Sequence, residues 1–171
     1  MYNWIWRKKL RLENYNYSRN WFYFVTICTK NREHYFGSIN DWKVILNNYW
    51  IIVEEEILKT EKLRKEIKID KFIIMPNHIH LIIQIYNIKL NKIPQNSPQT
   101  KNNLSNWIQW IKASITRKIR KENEDYIFWW QKSFYDIIIK NDEQLNKTRE
   151  YIKNNPIKWE KDINYKKNHK I

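Results

Sequence analysis

The sequence predicts an α+β fold, in which α-helices pack against an antiparallel β-sheet. Three observations predict it. Short segments rich in aromatic and β-branched residues alternate between two faces, as strands do. Longer segments repeat apolar residues at helical spacing. These segments follow one another in the order β-α-β-β-α-β-α, and helices covering one sheet would bury the apolar sides of both.

The amino-terminal third contributes a strand and a helix after a segment without regular pattern. Residues 1–20 are basic and aromatic and show no clear period. Residues 21–29 alternate and are predicted to form a strand, followed by a loop at 31–37. Apolar residues then recur at helical spacing, which predicts a helix at about 41–60 with Asn40 or Asp41 as its N-cap.

The remaining elements extend to the last proline of the chain, within a single domain over 1–171. Pro76-Asn77 separates two predicted strands, and a polar stretch with two prolines is predicted to be an exposed loop. Asn141 or Asp142 caps the last helix, which ends near Asn155 because Pro156 follows. In order, these segments are strands at 69–75 and 78–86, the loop at 87–103, a helical stripe at 104–119, a strand at 134–140, the last helix and a basic tail at 160–171.

The composition combines positive charge with many aromatic residues. The 171 residues include 32 Lys or Arg and 18 Asp or Glu, which gives a formal net charge of +14. Because 42% of the residues are hydrophobic, the chain can form a core and is not a disordered basic tail. The charge predicts a polyanionic partner such as DNA, RNA or an acidic membrane surface. An AT-rich genome is a second explanation for part of the lysine content.

Scarce residue types exclude several classes of protein. A single Gly excludes glycine-rich phosphate-binding loops, and a single Cys excludes an internal disulfide and multi-cysteine zinc sites. The apolar runs are too short to span a membrane, and no signal peptide opens the chain. We therefore expect a soluble, cytoplasmic protein without a membrane partner.

His78-Ile79-His80 is the first candidate for chemistry. In a strand, residues i and i+2 point the same way, so both imidazoles are expected on one face. Two neutral imidazoles can bind one divalent ion, and phosphate oxygens can complete its ligands. Half of the four histidines fall in this triplet, among otherwise apolar residues. The alternative is a chance pair that lies half-exposed and binds nothing.

The last helix supplies a second candidate, because Tyr151 and Asn155 lie one turn apart on it. A tyrosine hydroxyl can attack phosphorus when a metal ion polarises the phosphate. The alternative is an ordinary tyrosine at the boundary of an amphipathic helix. Spacing alone does not favour Tyr151 over Tyr126 or Tyr135.

A third candidate is the basic helix that follows the exposed loop. Its cations and tryptophans would bind backbone phosphates and stack on bases. The alternative is a solvated charged face of the helix. The residues assigned to DNA binding are Lys112, Arg117, Lys118, Arg120, Trp107 and Trp110.

Five strings, in this order, resemble the single-tyrosine HUH transposases, and most closely the REP-associated tyrosine transposases. The resemblance extends from about residue 11 to Trp159. Met75-Pro-Asn-His-Ile-His joined to a late Tyr-x-x-x-Asn-Pro makes it specific. The strings begin at Tyr15 (YNYS), Tyr23 (YFVTICT), Met75 (MPNHIHLI), Trp130 (WQKSF) and Tyr151 (YIKNNP).

This resemblance implies a ferredoxin-like HUH endonuclease fold and a metal-dependent strand transfer. By position, His78 and His80 match the pair that holds Mg²⁺ or Mn²⁺, and Asn155 matches the third metal ligand. Tyr151 matches the nucleophile that forms a 5′-phosphotyrosine bond with single-stranded DNA, often beside a hairpin. Some relatives are dimers that exchange the tyrosine helix, so a homodimer is possible. A nucleoid-associated location follows.

Two other functions stay open from the sequence. One is a non-catalytic nucleic-acid-binding protein on the same scaffold, which the charge and aromatic residues alone would explain. The other is a metal-dependent nuclease that uses water, with Tyr151 in a structural role. The chain also lacks glycines that are common in the family, including one at the position of Asn20, where Asn tolerates positive φ. This departure affects the expected DNA preference more than the chemistry.

Overall fold

The computed structural model describes residues 21–40, 43–86, 104–123 and 127–161. The α+β class is confirmed, because these residues form a four-stranded antiparallel sheet, a small hairpin and α-helices. The predicted segment 1–20, the loop 87–103 and the tail after residue 161 lie outside the described residues. The elements are β1 (Phe22–Cys28), β2 (Gly37–Asn40), β3 (Lys43–Leu46), α1 (Asn48–Leu63), β4 (Ile67–Met75), β5 (His78–Ile85), α2 (Leu104–Asn123), β6 (Tyr135–Ile139) and α3 (Asp142–Asn154).

The predicted start of the first helix is wrong. Strands β2 and β3 pair antiparallel, from Gly37 with Leu46 to Asn40 with Lys43, and α1 begins only at Asn48. The N-cap is Asn47, whose Oδ1 accepts from the backbone N–H groups of Tyr49 and Trp50 at 3.1 and 3.2 Å. Val44 and Ile45 are β-branched and suit a strand. Over so few residues, the spacing of apolar side chains fits a helix and a hairpin equally well.

The sheet has the order β4-β5-β1-β6. A turn at Pro76-Asn77 joins β4 to β5 directly, as predicted, so that Met75 pairs with His78. Strand β5 also pairs with the central strand β1, which sets Thr26 opposite His80. This register brings a hydroxyl from a distant part of the chain beside one of the two histidines.

The two sides of the sheet bury different amounts of apolar surface. On one side, α1 and α2 cover the larger core, and the predicted stripe from Leu104 to Ile119 is buried there. On the other side lies a smaller cluster that includes Phe24, Ile82 and, from α3, Ile152. Because side chains alternate along β5, His78 and His80 share this second side with Ile82.

Helix α3 begins as predicted. Asn141 is its N-cap and accepts from the backbone N–H of Gln144 at 2.8 Å, while Gln144 Oε1 accepts from the N–H of Lys140 at 2.9 Å. These two bonds resemble a capping box, except that the Gln144 side chain bonds to Lys140, the residue before the N-cap, and not to the N-cap itself. Within the described residues, no helix is long and apolar enough to cross a membrane.

Candidate active site

His78 and His80 form the centre of the site. They are the first and third residues of β5, and they are 0% and 2% exposed. Their Nε2 atoms lie 3.0 Å apart, which confirms that both imidazoles point to the same side of the strand. The half exposure expected of a chance pair is therefore not observed.

Asn77 selects the tautomer of the neutral His78 ring. Its Nδ2 donates to the backbone carbonyl of Arg32 at 3.2 Å, so its Oδ1 is the atom that faces His78 Nδ1 at 2.8 Å. Because an amide oxygen only accepts, His78 Nδ1 carries the proton. The neutral ring then keeps its lone pair on Nε2, the form in which imidazole binds a metal ion.

Thr26 has the corresponding place beside His80. Its Oγ1 lies 2.9 Å from His80 Nδ1, and a hydroxyl can donate or accept. When Thr26 donates, His80 carries its proton on Nε2 and shares it with His78 Nε2. When Thr26 accepts, His80 carries its proton on Nδ1, and the lone pairs of His78 Nε2 and His80 Nε2 face each other. A cation between these two atoms would stabilise that arrangement.

Tyr151 lies beside this pair. Its Oη is 3.4 Å from His80 Nε2. The tyrosine is 36% exposed, so this part of the site is open to solvent. Phe24 contacts both residues: its ring stacks on His80 at 5.1 Å and meets the Tyr151 ring edge-on at 5.8 Å. The structure thus brings the tyrosine of α3 to the histidines of β5. Tyr135 lies half-buried on β6, and Tyr126 is outside the described residues.

Asn155 follows Tyr151 by one turn, caps the end of α3 and is 2% exposed. Trp159 then packs on the site from the 3₁₀ helix at Pro156–Lys161. Its ring stacks on His78 with the centroids 5.9 Å apart, and His34 contacts the same indole at 5.8 Å. Nothing in the sequence marked Trp159 for this position, because burial distinguishes it only once the helix end is placed.

These side chains fit a divalent ion with few protein ligands. Both Nε2 atoms can reach one ion at the usual metal–nitrogen distance of about 2.1 Å, since they lie 3.0 Å apart. Among the described residues, no group of three or more His, Cys, Asp or Glu could hold a metal. The other ligands would therefore be oxygens from Asn155, water or substrate, as hard divalent ions prefer.

The basic helix α2 packs on the opposite side of the sheet from the histidines. Lys118 Nζ binds Glu55 and lies 3.9 Å from Glu56 and 3.8 Å from Glu122. The hydrogen bond to Glu55 is the main reason why the pKa of Lys118 is raised. Neighbouring carboxylates thus neutralise the charge of Lys118.

Two more cations of α2 contact the segment before β6. Lys112 Nζ donates to the carbonyl of Gln131 at 2.6 Å, and burial lowers the pKa of this lysine. Its carbonyl in turn accepts from Trp130 Nε1 at 3.1 Å. Arg120 lies over the ring of Trp129, 4.3 Å from the centroid. Lys112 thus joins α2 to the segment at Trp130 and Gln131. Arg117, on the same helix, is exposed.

The two tryptophans assigned to DNA binding differ in position. Trp107 is 4% exposed and belongs to the main core, and this burial contradicts the prediction that it stacks on a base. Trp110 is 52% exposed, and the guanidinium of Arg64 lies 3.9 Å from its ring centroid. Helical spacing placed both on α2, but only Trp110 lies on the solvent side.

Known proteins resemble this chain in sequence and in fold. The model of the IS200-like transposase family matches residues 17–155. An uncharacterised protein of Haemophilus influenzae is 34% identical over 170 residues, covering 93% of each chain. A candidate REP-associated tyrosine transposase of the same organism is 28% identical over 94 residues, covering 50% of this chain and 47% of its own.

A solved structure of another protein has the same fold. It is that of a REP-associated tyrosine transposase bound to a REP hairpin, with a TM-score of 0.59 and 19% identity. The match covers 84% of this chain and 70% of the other. At this identity the likeness concerns the fold, which is the fold that the family resemblance implied.

Proposed function

Because this chain belongs to the IS200-like transposase family, we propose that it is a metal-dependent enzyme that cleaves and rejoins single-stranded DNA, with Tyr151 as the nucleophile. The observation that carries the proposal is the approach of Tyr151 Oη to 3.4 Å from His80 Nε2, across 71 positions of the chain. A tyrosine with only a structural role has no need to lie beside two buried imidazoles whose Nε2 atoms face each other.

His78 and His80 would hold the divalent ion, Mg²⁺ or Mn²⁺, through Nε2, with Asn155 as the third protein ligand. When bound, such an ion would supply positive charge beside the scissile phosphate and would lower the activation free energy by stabilising the negative charge that develops in the transition state. Asn77 and Thr26 orient the two rings through Nδ1, and Trp159 covers His78 from solvent. The chain's own residues thus present two fixed nitrogen donors in a buried site.

Tyr151 carries out the covalent step. Its phenol oxygen forms a bond to phosphorus, and the bond between phosphorus and the 3′-oxygen breaks. The phenol gives up one proton and the leaving 3′-oxygen takes one, so no net proton is consumed. The product is a 5′-phosphotyrosine and a free 3′-hydroxyl. Attack by another 3′-hydroxyl reverses these bond changes, releases Tyr151 and completes strand transfer without a nucleotide cofactor.

Single-stranded DNA with a neighbouring hairpin is the proposed substrate. The solved relative of the same fold is bound to a REP hairpin. The net charge of +14 favours binding to a nucleic-acid backbone, and exposed rings such as Trp110 are suited to stacking on unpaired bases. A cytoplasmic, nucleoid-associated location would follow from this substrate.

One chain is proposed to suffice for catalysis. Tyr151 and His80 approach each other within the same molecule, so no residue of a second copy is needed to bring nucleophile and metal ligands together. A homodimer would then be compatible with activity without being required for it.

The proposal is tested with a labelled oligonucleotide that carries a hairpin and a single-stranded tail. Wild-type protein with Mn²⁺ or Mg²⁺ is expected to form a covalent protein–DNA adduct that survives denaturing electrophoresis. Tyr151→Phe is expected to form none, because the ring remains but the attacking oxygen is gone. Chelation by EDTA and the His78→Ala variant should abolish the adduct as well.

The other outcomes separate the alternative functions. Cleavage that survives Tyr151→Phe but not His78→Ala would contradict the tyrosine mechanism and indicate a nuclease that uses water. Tight, salt-sensitive binding without cleavage under any metal would indicate a non-catalytic DNA-binding protein.

A further inference from the structure

We propose that Asp70 and Arg149 are positioning residues for the reaction: their ion pair sets the orientation of α3 and so keeps Tyr151 beside His80. This inference rests on the proposed function, because it assigns Tyr151 the role of nucleophile. Neither residue contacts the reacting atoms, and both would act through the helix that carries the tyrosine.

The ion pair is geometrically specific. Arg149 Nε donates to Asp70 Oδ2 at 2.8 Å, and its Nη2 donates to Oδ1 of the same carboxylate at 2.5 Å. Two parallel bonds from a planar guanidinium fix direction as well as distance, which a single contact from a lysine cannot do. Arg149 belongs to α3 and Asp70 to β4, so the pair joins the tyrosine helix to the edge of the sheet.

Asp70 lies on the α3 side of the sheet, at an irregularity of β4. Ile69 pairs with Ile83 and Lys71 pairs with Ile82, which leaves Asp70 as the extra residue of a β-bulge. Before the bulge, Ile69 faces the core under α1 and α2; after it, Ile73 faces the cluster under α3 and pairs with His80. Asp70 follows core-facing Ile69 and so faces the α3 side by strand alternation, and the bulge turns the odd-numbered side chains after it to the same side.

Few buried apolar side chains hold α3 against the sheet. Leu145 and Ile152 are its only buried apolar side chains in the described chain. At about 100° per residue, Arg149 and Tyr151 lie roughly 200° apart around the helix, on the two flanks of Ile152. The ion pair of Arg149 and Asp70 holds the flank opposite Tyr151 against the sheet. It therefore prevents a rotation of α3 about its axis that would move the phenol away from the histidines.

The same helix offers a matched control. Glu143 and Lys147 form an ion pair one turn apart on α3, and both side chains are well exposed. This pair supports the helix locally but does not join it to the sheet. Glu143→Gln therefore removes a comparable carboxylate from the same element without affecting the orientation of α3.

The test compares Asp70→Asn, Arg149→Lys and Glu143→Gln in single-turnover adduct formation at saturating oligonucleotide. A displaced nucleophile slows the covalent step, since a misplacement of about 1 Å can cost about 100-fold in rate. We expect the rate constant to fall at least tenfold in Asp70→Asn and Arg149→Lys. The dissociation constants for DNA and for Mn²⁺ should change less than twofold, and Glu143→Gln should match wild type. A merely structural role would weaken all three properties together.

A second measurement needs no catalysis. The protein is prepared with 3-fluorotyrosine, and the ¹⁹F signal of Tyr151 is identified by its loss in Tyr151→Phe. Asp70→Asn is expected to shift or broaden this signal, while Glu143→Gln leaves it unchanged. Arg149→Lys decides the question if circular dichroism shows that Asp70→Asn does not fold. An absent adduct in wild type would refute the proposed function alone; an unchanged Tyr151 signal in the folded variants would overturn the positioning role.

Discussion

At the scale of the residue, the site depends on what lies behind each imidazole. Asn77 and Thr26 hold the Nδ1 atoms at 2.8 and 2.9 Å, and this leaves the Nε2 atoms facing each other. The sequence predicted the two histidines on one face, because strand alternation needs only local information. It did not predict Thr26 as a partner, since the register between β1 and β5 depends on residues 54 positions apart.

Thr26→Val tests this arrangement with almost no change in side-chain shape. The valine cannot bond to Nδ1, so His80 loses the partner that orients its ring. Loss of such a supporting hydrogen bond typically weakens metal binding by about 10- to 100-fold. Calorimetric titration with Mn²⁺ measures the effect, and Thr26→Ser, which keeps the hydroxyl, should stay close to wild type. Equal affinity of the valine variant and wild type would show that Thr26 has no such role.

At the scale of the element, the irregular positions were the ones that the pattern of apolar residues did not reveal. The start of α1 was predicted at Asn40 or Asp41, whereas Asn47 caps it after a hairpin. The bulge at Asp70 carries no glycine to mark it, and only pairing with β5 makes it visible. By contrast, α3 begins as predicted because Asn141 and Gln144 form a local signal.

Asn47→Ala tests the corrected start of α1. The asparagine caps two backbone N–H groups and also donates through Nδ2 to the carbonyl of Tyr35 at 2.8 Å. Loss of an N-cap of this kind costs about 1 to 2 kcal/mol in the free energy of unfolding. Urea denaturation measures this difference. Asn48→Ala, in the first turn of the same helix, should change stability much less, and equal effects would place the cap elsewhere.

At the scale of the whole molecule, one side of the sheet provides most of the hydrophobic core and the other carries the candidate active site. The side under α1 and α2 buries most of the core, and the side under α3 carries the histidines, Tyr151 and their partners. The sequence predicted the fold class and the four residues proposed for chemistry. It assigned Trp107 to DNA binding although the residue is buried, and it did not predict that Lys118 is paired with carboxylates of α1. Those features depend on how helices meet, which no single helix encodes.

Mixing two inactive variants tests whether one chain completes the site. His80→Ala lacks a metal ligand and Tyr151→Phe lacks the nucleophile. Because Tyr151 lies beside His80 of its own chain, a mixture of the two should form no more adduct than either variant alone. Adduct formation restored in the mixture would instead mean that subunits exchange α3 and build each site from two chains.

The identity of the attacking residue is the central claim, and peptide mapping of the adduct tests it most directly. Wild-type protein is reacted with the hairpin oligonucleotide and Mn²⁺, digested with nuclease and trypsin, and analysed by mass spectrometry. We expect a nucleotide attached through its 5′-phosphate to Tyr151, in the short peptide that follows Arg149. A nucleotide on Tyr135 or Tyr126, or cleaved DNA without any modified tyrosine, would contradict it.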